Sequence, residues 1–321
     1  MFLEVQLQLT YCTSEYILSE ACGGEVGVMA MEQGVQGVTT AATSFRMGLV
    51  GRGIQLSRTP AMHMTEAGRQ GLTCRYDLID TEGQTDVQLA AILDRAEAEG
   101  FAGLNITYPY KQDVVALLDE VSESSKRIGA VNTLVFRDGR RFGHNTDFWG
   151  FSESLRRGLP EVKLGTVFLI GAGGAGGAVA HALNDFGVGC VLIADTRPDA
   201  AEALANRVRA TGGQAEAVSD IAKAAASADG IVNATPVGMD KLPGTPLDPI
   251  CLEARHWVAD IVYFPLETAL LKAACAAGCR TLSGEGMAIF QAVRAFELFT
   301  GHAANPDRMG ATFRSLGAHR S

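Results

Sequence analysis

The sequence predicts an α/β fold made of two α/β domains, each built around its own sheet. From Arg46 onward, short β-branched runs alternate with longer helical segments, a pattern typical of mainly parallel sheets covered by helices. A chain of 321 residues is long enough to bury two separate cores. Residues 158–163 contain glycine and proline and indicate a boundary between the two halves.

The first half predicts strands at residues 47–50, 73–79, 103–107, 133–136 and 141–143, and helices at 60–70 and 87–99. Pro60 suits the first position of a helix, because its missing N–H would have no partner there anyway. Residues 1–45 are rich in Gly, Gln and Thr with weak periodicity, and are left unassigned as an N-terminal extension.

The second half continues the alternation. A helix at 149–157 precedes the boundary, and strands follow at 166–170, 190–194, 230–233 and 257–262. Helices are expected at 178–186 and 287–300, with a polar tail after the last one. We therefore expect a discontinuous first domain of residues 46–148 and 287–321, and a second domain of residues 149–286.

Composition and charge argue against several classes of protein. The formal net charge of −9 and the lack of a basic run disfavour nucleic-acid binding, because phosphate contacts need clustered Lys and Arg. No apolar run reaches the roughly eighteen residues of a membrane-spanning helix, and the first residues do not resemble a secretion signal. The 7 cysteines lack a CxxC pair, which favours reduced thiols, a cytoplasmic location and no metal site. Monomer and homodimer both stay open.

A glycine motif in the second half predicts a dinucleotide site. Gly171, Gly173 and Gly176 form the pattern GxGxxG between an apolar strand and a helix, and Asp195 ends the next strand. An acid about twenty residues after the glycines is typical of a Rossmann domain, where it binds the ribose. The glycines allow a tight turn and close approach of the pyrophosphate, which the N–H groups of the helix start bind. The residues expected to bind the cofactor in this turn are Gly171, Ala172, Gly173, Gly174, Ala175 and Gly176.

Asp195 favours NAD as the cofactor, because a carboxylate binds both ribose hydroxyls but repels a 2′-phosphate. Arg197 follows two residues later and keeps NADP open as an alternative, since an arginine can bind that phosphate. We interpret Arg197 as a solvated charge at the start of a helix and prefer NAD.

Polar residues follow the predicted strands of the first half, where open α/β sheets bind their ligands. They occur in the segments LSRTPAMH, NITYPYK, AVNT and HNTD. With GAGGAGGA, VNATPVGM, DIVYFPLET and GEGMAIFQAV, they resemble the shikimate dehydrogenase family in the family's order, and most closely its quinate/shikimate dehydrogenase branch. The resemblance runs from about Met47 to the tail and implies an N-terminal substrate domain with a mainly parallel sheet, followed by a Rossmann domain.

The resemblance also implies a role for each matching residue. Lys111 and Asp147 would be the catalytic pair beside the reacting hydroxyl. The residues implied to bind substrate are Ser57 and Thr59 for the carboxylate, Thr107, Asn132 and Gln291 for the ring hydroxyls, and Tyr263 near the carboxylate end. The residues implied to contact the nicotinamide half of the cofactor are Asn233, Thr235 and Val237 along its ribose, and Gly286 and Met287 beside its ring.

The chemistry of alcohol oxidation asks for such a pair independently. When a secondary alcohol loses a hydride, its hydroxyl proton must leave too, so a proton acceptor has to touch that oxygen. Lys111 can accept this proton, and Asp147 can position the lysine and help relay the proton. Each residue also has a structural alternative: Lys111 as an exposed turn lysine, Asp147 as a helix cap, and Ser57 and Thr59 as turn residues before Pro60.

The predicted reaction is the NAD-dependent interconversion of shikimate and 3-dehydroshikimate, of quinate and 3-dehydroquinate, or of both. Thr59 stands where biosynthetic members of the family usually have serine, which favours dual use and leaves an aminated shikimate open. The alternatives are an NADP-dependent biosynthetic enzyme and a non-catalytic sensor, although a sensor would not need both Lys111 and Asp147. His63 and His144 are interpreted as packing residues or as supports of other site residues rather than as acids or bases, and neither is assigned a role.

Overall fold

The computed structural model describes residues 43–318. Residues 1–42, most of the segment left unassigned above, lie outside the described residues, and β1 begins at Ser44. In the described part of the chain, no helix is both long and apolar enough to cross a bilayer.

Two sheets of 6 strands each divide the described chain into two lobes. The strands of the first sheet are β1 (Ser44–Gly51), β2 (Thr73–Asp80), β3 (Gly103–Ile106), β4 (Glu120–Val121), β5 (Thr133–Arg137) and β6 (Arg140–His144). The strands of the second sheet are β7 (Thr166–Ile170), β8 (Cys190–Ala194), β9 (Ala215–Ala217), β10 (Gly230–Asn233), β11 (Trp257–Asp260) and β12 (Arg280–Leu282).

The helices pack against these sheets and against one another. They are α1 (Thr59–Arg69), α2 (Leu89–Ala98), α3 (Glu123–Ile128), α4 (Thr146–Gly158), α5 (Gly174–Asp185), α6 (Pro198–Ala210), α7 (Ile221–Ser227), α8 (Ala269–Ala276), α9 (Glu285–Thr300) and α10 (Pro306–Ala318).

The topology confirms the predicted fold class. The first sheet has the order β2-β1-β3-β5-β6-β4, in which β5 runs antiparallel to both of its neighbours and the other pairs are parallel. The second sheet is parallel throughout, in the order β12-β11-β10-β7-β8-β9. This is the Rossmann order, whose direction reverses between β7 and β10, and ligands bind at the carboxyl ends of the strands at that point.

The structure corrects several predicted boundaries, and side-chain caps explain two of them. α4 begins at Thr146 rather than 149, because the Asn145 side chain accepts a hydrogen bond from the Phe148 N–H and caps the helix. β11 ends at Asp260 rather than 262, because the Asp260 carboxylate accepts from the Val262 N–H. α5 begins at Gly174, four residues before the predicted start, so the glycine turn itself forms the first turn of the helix.

The predicted polar tail is wrong, because residues 306–318 form α10. Met309 and Phe313 are buried in an apolar cluster together with Met62 of α1. A buried ion pair fixes the same contact, since Arg308 donates to the carboxylate of Glu66, which is 1% exposed. The sequence showed only two large buried apolar residues in this segment, Met309 and Phe313, one helical turn apart among small and polar residues, so the helix resembled a solvated tail.

The histidine of α1 is an unusual member of the core. His63 is fully buried, and neither ring nitrogen has a hydrogen-bond partner among the described residues. Its ring packs against Tyr76, Phe296 and Phe299 at centroid distances of 5.1, 5.8 and 5.9 Å. His63 is therefore a packing residue, as predicted, and burial lowers its pKa to about 3.

This burial predicts a defined acid sensitivity. Below the pKa of about 6.5 of an unfolded histidine, the unfolded chain takes up a proton that native His63 does not, so stability falls until about pH 3. At about pH 5 the loss from His63 alone is about 2 kcal/mol. We expect His63→Phe to lose less unfolding free energy than the parent between neutral and mildly acidic pH, measured by urea unfolding. The exposed His302, changed to Gln, is the control, and equal pH slopes for His63→Phe and the parent would contradict the prediction.

Candidate active site

A lysine and a carboxylate from the first lobe form the centre of the site. Lys111 follows β3, and Asp147 lies in the first turn of α4. The Lys111 Nζ donates to Asp147 Oδ2 at 2.6 Å, and their side chains are 19% and 3% exposed. The N-terminal end of α4 stabilises the buried carboxylate, because the free N–H groups there carry partial positive charge. The two residues predicted to act together are therefore in contact.

The structural alternatives for this pair do not apply. Asn145, not Asp147, caps α4, so both oxygens of Asp147 are available to other groups. Lys111 is not an exposed turn lysine, because its side chain is mostly buried. Its backbone is held as well, since its carbonyl oxygen accepts from the Val131 N–H at 2.8 Å.

The glycine turn of the second lobe lies directly beside the lysine. A Cβ added at Gly174 would be 3.6 Å from Lys111 Cβ and 3.7 Å from Lys111 Cδ. At Gly176, an added Cβ would overlap the carbonyl oxygen of Gly171, so only glycine allows this close turn. At Gly173 the same test finds open space. The turn thus has a tight inner side and an open outer side next to Lys111, which fits a phosphate group at the start of α5.

The predicted ribose-binding acid also contributes to the turn. Asp195 Oδ2 accepts from the Ala172 N–H at 2.7 Å, and Oδ1 accepts from the Arg197 N–H at 2.9 Å. Its side chain is 13% exposed, while that of Arg197 is 68% exposed with Nε 3.8 Å from Asp195 Oδ1. The carboxylate therefore sits fixed at the edge of the glycine turn, and the guanidinium lies outside it in solvent.

Asn132 is held so that its amide nitrogen faces the site. Its Oδ1 accepts from the Thr146 N–H at 2.7 Å and from the hydroxyl of Thr133 at 3.1 Å. Because a backbone N–H can only donate, the oxygen must face Thr146 and the NH₂ group must point the other way. There it approaches Gln291 Oε1 at 3.5 Å. Asn132 is thus oriented as a hydrogen-bond donor.

Buried polar residues that the sequence analysis did not single out support Asn132. The hydroxyl of Tyr76 donates to Asn105 Oδ1 at 2.7 Å, and Asn105 Nδ2 donates to Thr133 Oγ1 at 3.1 Å. Thr133 in turn donates to Asn132. In this series of hydrogen bonds, from Tyr76 to Asn132, each group therefore donates in the direction of the site. Such alignment strengthens each bond in a low-dielectric interior.

Close packing of α9 against α4 brings Gln291, in the motif GEGMAIFQAV, next to Asn132. α4 and α9 cross at Gly150, where an added Cβ would be 2.8 Å from the Met287 carbonyl oxygen and 2.9 Å from the Gln291 N. An added Cβ at Gly286 would overlap the hydroxyl of Ser154. The two glycines therefore let α9 approach α4, which places Gln291 near Asn132.

The remaining predicted substrate residues follow strands: Ser57 and Thr59 come after β1, Thr107 after β3 and Tyr263 after β11. Ser57 Oγ accepts from the Thr59 N–H at 3.3 Å, so this hydroxyl helps to shape the turn before α1. Thr107 directly follows β3, where its methyl group blocks any side chain at Gly51. Tyr263 is 38% exposed, and its pKa is raised, first by desolvation and then by the charge of Asp147.

Asn233 does not offer its side chain to a ligand. It is fully buried, and its amide is used within the protein, by Asp260, Val237 and Thr235. The sequence analysis missed Asp260, although this residue ends β11 and Asp195 occupies a similar place directly after β8. The same search for polar residues at strand ends would have found it.

No group of three or more His, Cys, Asp and Glu residues within 43–318 is arranged to hold a metal ion.

Three family models match the chain in sequence order. Residues 49–134 match the shikimate dehydrogenase substrate binding domain, residues 153–238 match shikimate / quinate 5-dehydrogenase, and residues 284–311 match the shikimate 5′-dehydrogenase C-terminal domain. Lys111 and Asn132 fall in the first match, and the glycine turn and Asn233 fall in the second.

Relatives of known name resemble nearly the whole described chain. A quinate/shikimate dehydrogenase (NAD(+)) of Corynebacterium efficiens is 52% identical over 281 residues, covering 85% of this chain and 99% of the relative. A shikimate dehydrogenase (NADP(+)) of Streptomyces avermitilis is 50% identical over 279 residues, covering 85% and 96%. The crystal structure of quinate dehydrogenase from Corynebacterium glutamicum in complex with NAD has a TM-score of 0.81 at 50% identity, covering 85% of this chain and 99% of that one. The protein belongs to the shikimate dehydrogenase family.

Proposed function

We propose that the protein is an NAD-dependent dehydrogenase that interconverts shikimate and 3-dehydroshikimate, quinate and 3-dehydroquinate, or both. One observation carries the proposal: the Lys111–Asp147 pair, with its 2.6 Å contact, lies against the dinucleotide turn at Gly174. A group that takes a proton thus stands beside the place where a nicotinamide dinucleotide would be held. The names of the relatives support the same reaction.

The chain's own residues account for the proton in this reaction. Oxidation breaks the C–H and O–H bonds of a secondary alcohol, and the nicotinamide ring, when bound, accepts the hydride from carbon. Lys111 receives the hydroxyl proton as a neutral amine and becomes the ammonium ion, and Asp147, which accepts a hydrogen bond from Nζ, holds it in place and pairs with the new charge. In the reverse direction, the protonated Lys111 donates to the ketone oxygen, and Asn132 Nδ2 is oriented to donate to a substrate oxygen as well.

The roles of the other predicted substrate residues are proposed from where these residues lie in the chain. Ser57 and Thr59 bind the substrate carboxylate, Tyr263 approaches it, and Thr107 and Gln291 bind ring hydroxyls. Because a polar group left unpaired on binding costs about 1–3 kcal/mol, a substrate with several hydroxyls needs several such partners. Gly286 and Met287 lie at the start of α9, beside the proposed position of the nicotinamide ring.

NAD is the proposed cofactor because of the position of Asp195. Its carboxylate is fixed at the edge of the glycine turn, where it would bind ribose hydroxyls and repel a 2′-phosphate. The relatives support NAD, and NADP enzymes are also among them. NADP use is the second candidate, since the exposed Arg197 is able to reach a phosphate at that edge.

The domain limits of 46–148 with 287–321 and of 149–286, the cytoplasmic location and the choice of monomer or homodimer stay predictions. The packing of α9 on α4, β1 and β5 supports the return of the chain to the first lobe. Light scattering during size-exclusion chromatography measures the oligomeric state.

A cofactor and substrate panel tests the proposal. Reduced-cofactor absorbance is followed with quinate, shikimate and aminoshikimate, each combined with NAD and with NADP. We expect turnover of quinate or shikimate, with a higher kcat/KM for NAD than for NADP. A higher value with NADP would overturn the cofactor assignment. Binding of dinucleotide without turnover of any substrate would favour the sensor.

A further inference from the structure

Asp260 is a carboxylate buried at the carboxyl edge of the second sheet. It is 1% exposed and ends β11. Among the described residues it forms no ion pair, and its partners are neutral donors: Asn233 Nδ2 at 2.9 Å, the Val262 N–H at 3.0 Å and the Thr268 hydroxyl at 2.7 Å. Burial of a carboxylate is costly, so a residue with three well-placed donors around it has a specific structural task.

The hydrogen bonds of the Asn233 side-chain amide show what Asp260 does. Asn233 is the last residue of β10. A carboxylate only accepts hydrogen bonds here, so the NH₂ group of Asn233 must face Asp260. The same NH₂ group donates to the Val237 carbonyl oxygen at 2.9 Å. The amide oxygen is thereby turned towards Thr235, whose N–H and hydroxyl donate to it at 3.0 and 2.7 Å. Asp260 therefore acts together with the Val237 carbonyl and the Thr235 N–H to hold the Asn233 amide in one orientation.

The Asn233 amide in turn fixes residues 234–237 against the glycine turn. Thr235 Oγ1 accepts from the Val237 N–H at 3.2 Å, which closes the segment on itself. A Cβ added at Gly171 would be 2.8 Å from the Ala234 carbonyl and 3.0 Å from Thr235 Cγ2. The segment thus forms one wall of the turn in which the dinucleotide is proposed to bind.

The carboxylate also holds a second segment. Thr268 donates to Asp260 Oδ2 and, through the same oxygen, accepts from the Leu271 N–H at 3.2 Å, so it caps α8. The ends of residues 260–268, which carry Tyr263, are joined by this bond. A Cβ added at Gly238 would touch Thr268 Cβ at 3.4 Å, so the two segments pack together around Asp260.

We propose that Asp260 is a positioning residue for the cofactor, acting as the side-chain acceptor that anchors the Asn233 amide to β11 and thereby holds the wall formed by residues 234–237. The inference rests on the proposed function, because it assumes that a dinucleotide occupies the glycine turn. What the site requires is an acceptor at Oδ1.

Binding of NAD to the full-length protein, measured by isothermal titration calorimetry, tests the inference without relying on turnover. We expect Asp260→Ala to raise the Kd for NAD at least about tenfold, because the buried Asn233 NH₂ group loses the side-chain acceptor that anchors it to β11. Asp260→Asn should bind NAD nearly as the parent does, since its amide oxygen still accepts from Asn233 and its NH₂ group can donate to Thr268. In kinetic assays of Asp260→Ala, the KM for NAD should rise more than the KM for quinate or shikimate.

Asp229→Ala is the matched control. Asp229 accepts from the Thr166 N–H at 3.0 Å, at the start of β7 and so at the opposite edge of the same sheet. Its loss should lower the melting temperature without changing the Kd for NAD. If Asp260→Ala does not fold, Asn233→Ala carries the same expectation, because it leaves Asp260 its bonds to Thr268 and Val262.

The outcomes separate this inference from the proposed function. A parent protein that neither binds NAD nor turns over any substrate contradicts the proposed function itself. A parent that binds NAD, together with an Asp260→Ala variant of equal affinity, overturns only the role of Asp260. Equal loss of affinity in Asp260→Asn and Asp260→Ala would also overturn it, because rescue by a neutral acceptor would have failed.

Discussion

Lys111→Ala is expected to lower kcat by about 10²–10⁴-fold, the usual contribution of a positioned proton-transfer group. The lysine is the group of the site in contact with both the buried carboxylate and the glycine turn. Without it, the proton of the substrate hydroxyl has no acceptor. Substrate binding should stay measurable, because the hydroxyl and amide groups of the site are unchanged. Initial rates of NADH formation and calorimetric binding of substrate measure the two effects separately.

A second substitution distinguishes whether Lys111 acts by transferring a proton or only by its positive charge. Lys111→Ala also leaves Asp147 buried without a counter-charge, which lowers stability as well as activity. Lys111→Arg keeps a cation beside Asp147, but a guanidinium stays protonated and accepts no proton. We expect the arginine variant to be stable and as inactive as the alanine variant.

Lys126 is the matched control for this series. Its Nζ contacts Glu123 Oε1 at the same 2.6 Å, but the lysine is 57% exposed on α3. Lys126→Ala should keep the parent kcat. Parent-like turnover of Lys111→Arg would show that the lysine contributes charge alone, and the proposed proton transfer would be wrong.

Two glycines of the dinucleotide turn should both lose NAD binding when changed to alanine, but only one of them should also lose stability. A Cβ at Gly176 overlaps the Gly171 carbonyl oxygen, so Gly176→Ala must open the turn and should cost about 1–3 kcal/mol of stability as well as NAD binding. Gly173 has φ −74° and open space around it, so Gly173→Ala should fold normally. Its new methyl group would nevertheless stand where the pyrophosphate approaches, and the Kd for NAD should rise at least about tenfold.

Urea unfolding and NAD titration of both variants, without substrate, give the comparison. Gly187, which follows the C-terminal end of α5, has a positive φ of 80° and open space around it. Gly187→Ala should therefore lose stability through backbone strain but bind NAD as the parent does. If Gly173→Ala bound NAD with the parent's affinity, the pyrophosphate would not pass over this turn as proposed.

The arrangement divides the chemistry between the two lobes. In the proposed function, the first lobe would supply the groups that hold and deprotonate a hydroxyl, through Lys111, Asp147 and Asn132. The second supplies the glycine turn and the buried network of Asp260 and Asn233. Hydride and proton would therefore leave the substrate towards groups on different lobes, and the position of Lys111 beside Gly174 brings these groups close together.

Local patterns were sufficient to predict most strands and the Rossmann topology. The strands at 166–170, 190–194 and 230–233 have the predicted limits, because buried parallel strands are continuous apolar runs bounded by turn residues. The short edge strands β9 and β12, of 3 residues each, were not predicted, because three residues are too few to show a repeating pattern of apolar residues. The start of α4 escaped because its cap, Asn145, acts through a side-chain hydrogen bond.

Asn233 and Asp260 show the limit of the pattern for function. Motif resemblance implied that Asn233 passes the nicotinamide ribose, whereas the structure shows its amide bonded within the protein. A motif records which residue type is present, but not whether its side chain faces a ligand or a neighbour. That distinction depends on how β10 and β11 pair, which places the two strand ends side by side.

The sequence by itself determined the fold class, the family and the types of residue at the site, because these follow from periodicity, spacing and the order of local motifs. Only the tertiary structure decided that Lys111 contacts Asp147 across 36 positions of sequence and lies beside Gly174, that Asn132 points its NH₂ group inward, and that Asp260 is a buried acceptor. The physical reason is that hydrogen bonds and ion pairs depend on distance and direction between side chains. These are fixed only when sheets and helices pack.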